Sequence, residues 1–173
     1  MSVEHLWAGW RRAYVVGEKS DDGRAKVEVS PDQTLFEALL HSGYPDDETF
    51  IVWRGETAFA ILNAYPYTSG HLMVLPQRAV KDLTELNDIE FSELWQGVRM
   101  ATQAVKTAYQ PHGVNVGANM GEGSGAGIPD HLHVHVVPRW AGDTNFMTAV
   151  ANTRVMPEAL CDSWLRLREA WPA

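Results

Sequence analysis

The chain has 173 residues and a mass of 19.3 kDa, which at about 150 residues per domain predicts one domain with appendages. Hydrophobic residues make up 45% and charged residues 21%, which is typical of a globular protein and excludes a fibrous or wholly disordered chain. The net charge of −8 disfavours a broad contact with the phosphate backbone of a nucleic acid.

No apolar run reaches the roughly 18 residues that a membrane-spanning helix needs, and the N-terminal sequence lacks the layout of a signal peptide. We therefore expect a cytoplasmic protein that has no membrane partner. The single cysteine, Cys161, excludes a disulfide within the chain and a zinc site made of cysteines alone. Its position on the apolar side of a predicted helix favours a small core residue.

The first 33 residues contain turn residues and little periodicity, which predicts an arm or surface loop. A short helix is predicted next, with Thr34 as its N-cap and Gly43 as its stop. Apolar runs bounded by turn residues predict five strands, at residues 50–54, 57–62, 71–76, 113–120 and 131–137.

The longest helix is predicted from Asn87 to about Tyr109, where apolar residues recur at helical spacing and Asn87 forms a capping-box pattern with Glu90. Pro157 fits the first position of a closing helix. Tight links between strands favour an α+β fold with a mainly antiparallel sheet. The predicted divisions are an N-terminal arm, a main domain and a C-terminal helix packed on that domain, at residues 1–33, 34–156 and 157–173.

Three histidines alternate with apolar residues from the first residue of the last predicted strand onward. Because side chains of a strand point alternately to its two faces, His131, His133 and His135 are predicted to share one face, with Leu132 and Val134 on the other. Such a row of imidazoles indicates a ligand, and either a metal ion or a phosphate group suits it.

Asn119 precedes the loop GEGSGAG at 121–127, which is too rich in glycine for a regular element. Backbone amides in such a loop can point at anionic oxygens. Because the loop lies directly before the histidine row, a phosphate cradle explains it better than a simple connecting turn.

The run GAGIPDHLHVHVVPRW at 125–140 resembles the signature of the histidine triad (HIT) family, whose members transfer or hydrolyse nucleoside monophosphates. NAYPY at 63–67 with GHL at 70–72, and GDTNFM at 142–147, resemble the branch that includes bacterial diadenosine tetraphosphate phosphorylases. The resemblance runs from about residue 50 to 160. It implies a HIT-like sheet of about five strands with one long helix and shorter helices.

By this resemblance, His133 is the nucleophile that attacks the α-phosphorus and carries a nucleotidyl group. Its second ring nitrogen should donate to a backbone carbonyl or to another histidine, which would fix the tautomer. His131 and His71 fit that supporting relay. His135 would hold a phosphate oxygen or pass a proton to the leaving group.

The resemblance also implies substrate contacts. Asn63 matches a position that contacts the ribose, and Asn119 matches an amide on the phosphate side. Ser124 either contacts the leaving phosphates or stabilises its own loop. Many members carry Gln or a hydroxyl residue shortly before the first histidine, where this chain has Gly127 and Ile128. Backbone amides would substitute there, and the residues concerned are Gly125, Ala126 and Gly127.

Many bacterial members bind a structural zinc through a Pro-Phe-Cys motif near the first helix and a histidine after the third strand. This chain has Leu35-Phe36-Glu37 and Ala79 at those places, which disfavours the zinc. The sequence requires no cofactor, although a divalent cation can accompany a nucleotide.

The leading hypothesis is an enzyme that cleaves dinucleoside polyphosphates through a nucleotidyl-histidine intermediate, with inorganic phosphate or water as the acceptor. One alternative is a general hydrolase of adenosine phosphoramidates. Another is a module without catalytic activity, in which the three histidines chelate zinc or the chain senses a nucleotide. A homodimer is expected mainly from the resemblance.

Overall fold

The computed structural model describes residues 25–143 and 158–173. Among these residues, the helices are α1 (Leu35–Leu40), α2 (Asp46–Thr49), α3 (Asp88–Tyr109) and α4 (Leu160–Glu169). The strands are β1 (Ile51–Arg54), β2 (Ala58–Leu62), β3 (Leu72–Pro76), β4 (Gly113–Ala118) and β5 (Val134–Arg139). Short 3-10 helices cover Leu83–Glu85 and Glu122–Ser124. None of the helices in this part of the chain is long and apolar enough to cross a membrane.

The five strands form one sheet in the order β1-β2-β3-β5-β4, and each neighbouring pair is antiparallel. This confirms the predicted α+β fold with an antiparallel sheet, one long helix and shorter helices. Strand β5 enters the sheet beside β3, where His135 is opposite Met73. The order of the strands therefore brings the histidine row next to a segment about 60 residues earlier in the chain.

The two faces of the sheet are covered unequally. Helix α3 packs on one face against β2, β3 and β5, and its buried residues join the main hydrophobic core. Helix α1 covers β1, β2 and β3 on the other face, where Phe36 and Leu40 pack against Phe59 and Leu75. Strands β2 and β3 are buried on both faces, which explains why their sequences are continuously apolar. Helix α1 does not extend over β4 and β5 on this second face, and the candidate site lies there.

The predicted N-cap at Thr34 and the predicted capping box at Asn87 are both present, and Thr34 forms a capping box as well. The side chain of Thr34 accepts the amide hydrogen of Glu37, whose carboxylate accepts the amide hydrogen of Thr34, and helix α3 begins in the same way at Asn87 and Glu90. Helix α1 ends at Leu40, three residues before the predicted stop. Helix α2 was not predicted, because four residues give too short a pattern to recognise.

Helix α4 covers the edge of the sheet at β1. The indole nitrogen of Trp164 donates to the carbonyl oxygen of Ile51 at 2.9 Å. The expectation that Cys161 is a core residue is wrong, because its side chain is exposed. Helix α4 buries Ser163 and Leu167, and at 3.6 residues per turn Cys161 lies about 200° from Ser163, on the opposite side.

The predicted division of the chain into an arm, a main domain and a closing helix stays a prediction. Residues 1–24 and 144–157 lie outside the described residues, and the predicted helix start at Pro157 falls among them. Within the described part, helix α4 begins at Leu160 with Ala159 as its N-cap.

Gly70 occupies the last position before His71 and has a φ angle of +76°. A Cβ atom there would lie 2.5 Å from Cε2 of the Tyr109 ring. We expect Gly70→Ala to lower the free energy of unfolding by about 2–4 kcal/mol, through backbone strain and overlap with the ring. Urea unfolding would measure the loss.

Gly43 provides the matched control, since its φ angle is +75° and no heavy atom would lie within 4 Å of its Cβ. Gly43→Ala should therefore cost only the backbone strain, about 1–2 kcal/mol. Equal losses at the two positions would show that the Tyr109 ring moves aside without cost.

Candidate active site

The histidine row begins before strand β5. The predicted strand at 131–137 is wrong in its first residues, because β5 starts at Val134 and two of the three histidines precede it. The amide of Leu132 donates to the carbonyl oxygen of Val80 at 2.6 Å instead of pairing within the sheet. Side chains nevertheless point alternately to the two faces of the sheet. Leu132 and Val134 are buried in the main core beneath α3, whereas the His131 and His133 rings contact Phe36 in the apolar cluster beneath α1.

His131 is completely buried, and both of its ring nitrogens are engaged. Nε2 lies 2.8 Å from the carbonyl oxygen of Pro76, and Nδ1 lies 2.7 Å from Oγ1 of Thr34. Because a carbonyl can only accept, Nε2 carries the proton and Nδ1 is left as an acceptor that faces the Thr34 hydroxyl, a group that also lies 3.0 Å from Oε2 of Glu37. Burial holds the pKa of His131 below its usual value of 6.5, although the Pro76 carbonyl and Glu37 act against that shift. The ring is thus neutral and has no nitrogen left for a substrate or a metal.

His133 is held in one tautomer by the backbone. Its ring is 5% exposed, and Nδ1 lies 2.8 Å from the carbonyl oxygen of His131. Nδ1 must therefore donate its hydrogen to this carbonyl, so the neutral ring has its lone pair on Nε2. The Phe36 ring packs against His133 with the ring centroids 5.7 Å apart. A buried neutral imidazole with a lone pair on Nε2 can act as a nucleophile or as a base.

His71 and His135 form a second chain of hydrogen bonds. The amide of Tyr67 donates to Nδ1 of His71 at 3.1 Å, so the ring proton of neutral His71 lies on Nε2. This Nε2 is 2.9 Å from Nδ1 of His135, which must accept from it. The proton of His135 therefore lies on Nε2. The chain makes His135 a hydrogen-bond donor with a fixed direction.

Burial, together with the neighbouring His133 ring, lowers the pKa of His135 from 6.5 to about 4. The centroids of the His133 and His135 rings are 4.9 Å apart, so a charge on one ring would oppose a charge on the other. His135 therefore stays neutral at ordinary pH and offers an N–H group rather than a positive charge.

A cavity of about 450 Å³ lies beside His135 on the open face of β4 and β5. At its far end the Arg139 guanidinium donates to both carboxylate oxygens of Asp143, at 2.6 and 2.8 Å, and to Oδ1 of Asn115 at 2.7 Å. The cavity is lined by Tyr67, Thr68, Asn115, Val116, Gly117, Ala118, Asn119, His135, Val137, Arg139 and Asp143. Arg139 was not predicted as a site residue, although the period-two pattern that carries His135 also places Arg139 on the same face.

The structure brings Asn63 to the histidines but leaves the glycine loop outside this cavity. Asn63 lies at the end of β2, where Nδ2 is 3.3 Å from Nδ1 of His71 and Oδ1 accepts the amide hydrogen of Tyr65. Ser124 is exposed, and its hydroxyl donates to the carbonyl oxygen of Gly121 within its own loop. Of the predicted substrate contacts, only Asn119 lines the cavity. The predicted contacts that lie outside it are Asn63, Ser124, Gly125, Ala126 and Gly127.

The arrangement does not fit a zinc site. Each ring of the histidine row is hydrogen-bonded to a different group, and no three His, Cys, Asp or Glu side chains converge on a metal position within residues 25–143 and 158–173. Glu37 and Ala79, the two positions at which the sequence disfavours a zinc, are joined by a hydrogen bond, since the Glu37 carboxylate accepts the amide hydrogen of Ala79 at 3.0 Å.

The lowered pKa of His135 predicts a loss of stability in acid. Unfolded His135 takes up a proton near its usual pKa of 6.5, whereas the folded chain resists protonation down to about 4. The unfolded state binds more protons between these values, so the free energy of unfolding falls as the pH drops from 6.5 towards 4. His135→Gln is expected to flatten part of this slope in urea unfolding, and His131 should account for part of the remainder.

His41 serves as the matched control, because its side chain is exposed at the end of α1. His41→Gln should leave the acid slope unchanged. An identical slope in His135→Gln and the unsubstituted chain would contradict a buried neutral His135.

Known proteins resemble the chain in sequence. The family model described as HIT domain matches residues 45–142. A protein of Mycobacterium tuberculosis named AP-4-A phosphorylase is 38% identical over 172 residues, covering 98% of this chain and 85% of the relative. A bis(5'-nucleosyl)-tetraphosphatase (asymmetrical) of Schizosaccharomyces pombe is 33% identical over 93 residues, covering 54% and 50% of the two chains.

Solved structures share the fold. A Hit-like protein from Bartonella henselae superposes with a TM-score of 0.66 at 23% identity, covering 83% of this chain and 99% of that one. A Zn-bound histidine triad family protein from Mycobacterium smegmatis gives a TM-score of 0.63 at 26% identity, covering 79% and 91%. The family resemblance of the histidine run is confirmed, and the chain belongs to the HIT domain family.

Proposed function

We propose that the chain is an enzyme that cleaves dinucleoside polyphosphates through a nucleotidyl group carried on His133. The observation that supports this most directly is the hydrogen bond from Nδ1 of His133 to the His131 carbonyl, which leaves the Nε2 lone pair available for attack. The AP-4-A phosphorylase of Mycobacterium tuberculosis, which is similar over nearly the whole chain, supports the substrate class.

In the first step Nε2 of His133 attacks the α-phosphorus. The new N–P bond forms as the bond from phosphorus to the bridging oxygen breaks, and the leaving nucleotide takes that electron pair. Nε2 of His71, 2.9 Å from Nδ1 of His135, orients that ring, so His135 can direct its Nε2 hydrogen at the departing oxygen and stabilise the negative charge that develops there.

In the second step an acceptor attacks the same phosphorus, and the N–P bond breaks to restore the imidazole. Inorganic phosphate as acceptor would convert diadenosine tetraphosphate into ADP and ATP, whereas water would give AMP and ATP. We propose phosphate, because the near full-length relative is named a phosphorylase.

The cavity beside His135 suits the phosphates of the substrate. It presents the amide of Asn119, while Arg139 in its lining is paired with Asp143. A polyphosphate would therefore meet hydrogen-bond donors with little net positive charge. We propose that a divalent cation bound to the substrate supplies the remaining compensation, and that the predicted backbone contacts of the glycine loop complete the site.

We further propose a homodimer. The exposed Val116 lies on β4 at the edge of the sheet, and Phe91 and Trp95 contact each other on the exposed side of α3. An unpaired strand edge and exposed aromatic rings are typical of association surfaces.

A cytoplasmic location stays a prediction from the sequence. The comparisons do not favour a phosphoramidate hydrolase. Among the described residues, the directions of the histidine rings do not favour a zinc module.

The covalent intermediate can be trapped and located. Brief incubation with diadenosine tetraphosphate, acid quenching under conditions that keep the N–P bond, and mass spectrometry should find one added nucleoside monophosphate on His133. His133→Gly is expected to lose the adduct and to lower kcat by at least about 10³-fold. His41→Gly, at the exposed end of α1, should retain both. Turnover that survives in His133→Gly would overturn the proposal.

The acceptor can be identified from the products. With diadenosine tetraphosphate and inorganic phosphate we expect ADP and ATP, because phosphate captures the adenylyl group from His133. Chromatography of the nucleotides, with isotopically labelled phosphate to follow its entry into ADP, would make the measurement. AMP as the only monoadenosine product beside ATP, both with and without phosphate, would reject the phosphorylase in favour of a hydrolase.

A further inference from the structure

Helix α1 is tied to the histidine row through the side chain of its N-cap. The hydroxyl of Thr34 lies 2.7 Å from Nδ1 of His131, although the two residues are 97 positions apart. Because Pro76 fixes the ring proton on Nε2, Nδ1 of the neutral ring can only accept, and the donor within reach is the Thr34 hydroxyl, which also lies 3.0 Å from Oε2 of Glu37. This hydroxyl is the partner of a nitrogen that lies inside the protein, where an unpaired polar atom is costly.

The peptide unit between His131 and Leu132 has a fixed direction. Its N–H group donates to the carbonyl oxygen of Val80 at 2.6 Å, and its C=O group accepts from Nδ1 of His133 at 2.8 Å. The side chain of His131 is held by Thr34 on one side and Pro76 on the other. The His131 carbonyl, which fixes the tautomer of His133, therefore belongs to a residue that is held at its own ring and at the amide of the next residue, Leu132.

Glu37 places the Thr34 hydroxyl. Its Oε2 accepts the amide hydrogen of Thr34 at 2.9 Å, and its Oε1 accepts the amide hydrogen of Ala79, just beyond β3, at 3.0 Å. Burial opposes the charge on this carboxylate, but the hydrogen bonds from Thr34 and Ala79 outweigh burial and lower the pKa of Glu37. Glu37 thus stays ionised and holds the start of α1 against the segment that follows β3.

We propose that Thr34, oriented by Glu37, is a positioning residue for the nucleophile His133, acting through the ring and carbonyl of His131. The inference rests on the proposed function of His133. Thr34 is not among the residues that line the cavity, so its effect should fall on the chemical step and not on substrate binding. Loss of the hydroxyl would leave Nδ1 of His131 unpaired, and the ring would shift to find a partner, taking the His131 carbonyl with it.

The test compares variants that lack the hydroxyl with one that keeps it. Thr34→Val should lower kcat on the order of 10-fold or more, because a small misplacement of a reacting group is costly, while KM changes by less than about 2-fold. Thr34→Ser should restore most of the activity. Thr34→Gly provides a second variant without the hydroxyl in case valine prevents folding, since glycine is tolerated at an N-cap.

Thr49→Val is the matched control, because it removes a buried threonine hydroxyl that donates to the carbonyl oxygen of Pro45, away from the histidines. Its kcat should equal that of the unsubstituted enzyme. Nitrogen NMR of the histidine rings gives an independent readout: the His131 Nδ1 and His133 Nδ1 resonances should move in Thr34→Gly and return in Thr34→Ser.

Normal kcat in folded Thr34→Gly, or equal impairment of Thr34→Ser and Thr34→Gly, would overturn the inference. If the unsubstituted chain shows no turnover of dinucleoside polyphosphates, the proposed function fails by itself. The ring resonances then decide the inference about Thr34, and an unchanged His133 signal in Thr34→Gly would reject it.

Discussion

The hydrogen bond from Nδ1 of His133 to the carbonyl oxygen of His131 decides what the site can do. It places the proton of the neutral ring on Nδ1 and leaves a lone pair on Nε2, the nitrogen proposed to react. Much of the surrounding structure serves this one contact, since the carbonyl belongs to a residue that is held by Thr34 of the first helix cap and by Pro76 of β3. A second set of contacts sets the proton of His135 in the same way, from the Tyr67 amide through His71.

Local patterns in the sequence were enough to predict the main architecture. The apolar runs predicted the strands to within a few residues, and the capping box at Asn87 predicted the start of the long helix. The alternation of histidine with apolar residues correctly separated the core side of the row from the other side, even though β5 begins only at Val134. This part of the fold follows from periodicity and end signals, which are properties of neighbouring residues.

The remaining features depend on contacts between distant segments, which one sequence does not display. The late start of β5 reflects a bond from Leu132 to Val80, and the state of His131 depends on Thr34, 97 positions away. Cys161 was misplaced because a short apolar pattern does not show which side of a helix meets the sheet. Arg139 was visible as a neighbour of the histidines on the same strand face, but its pairing with Asp143 was not.

Because the sheet is covered unequally, residues in some parts of the molecule tolerate substitution and residues in other parts do not. The histidines sit against packed helix and strand interiors, where a change of volume is costly. Within residues 25–143 and 158–173, Asn115, Gly117 and Asn119 line the cavity along β4, an edge strand that is mostly exposed. Under the proposed function, relatives with this fold could therefore acquire new substrate preferences by exchanging side chains along that edge while the histidines stay intact.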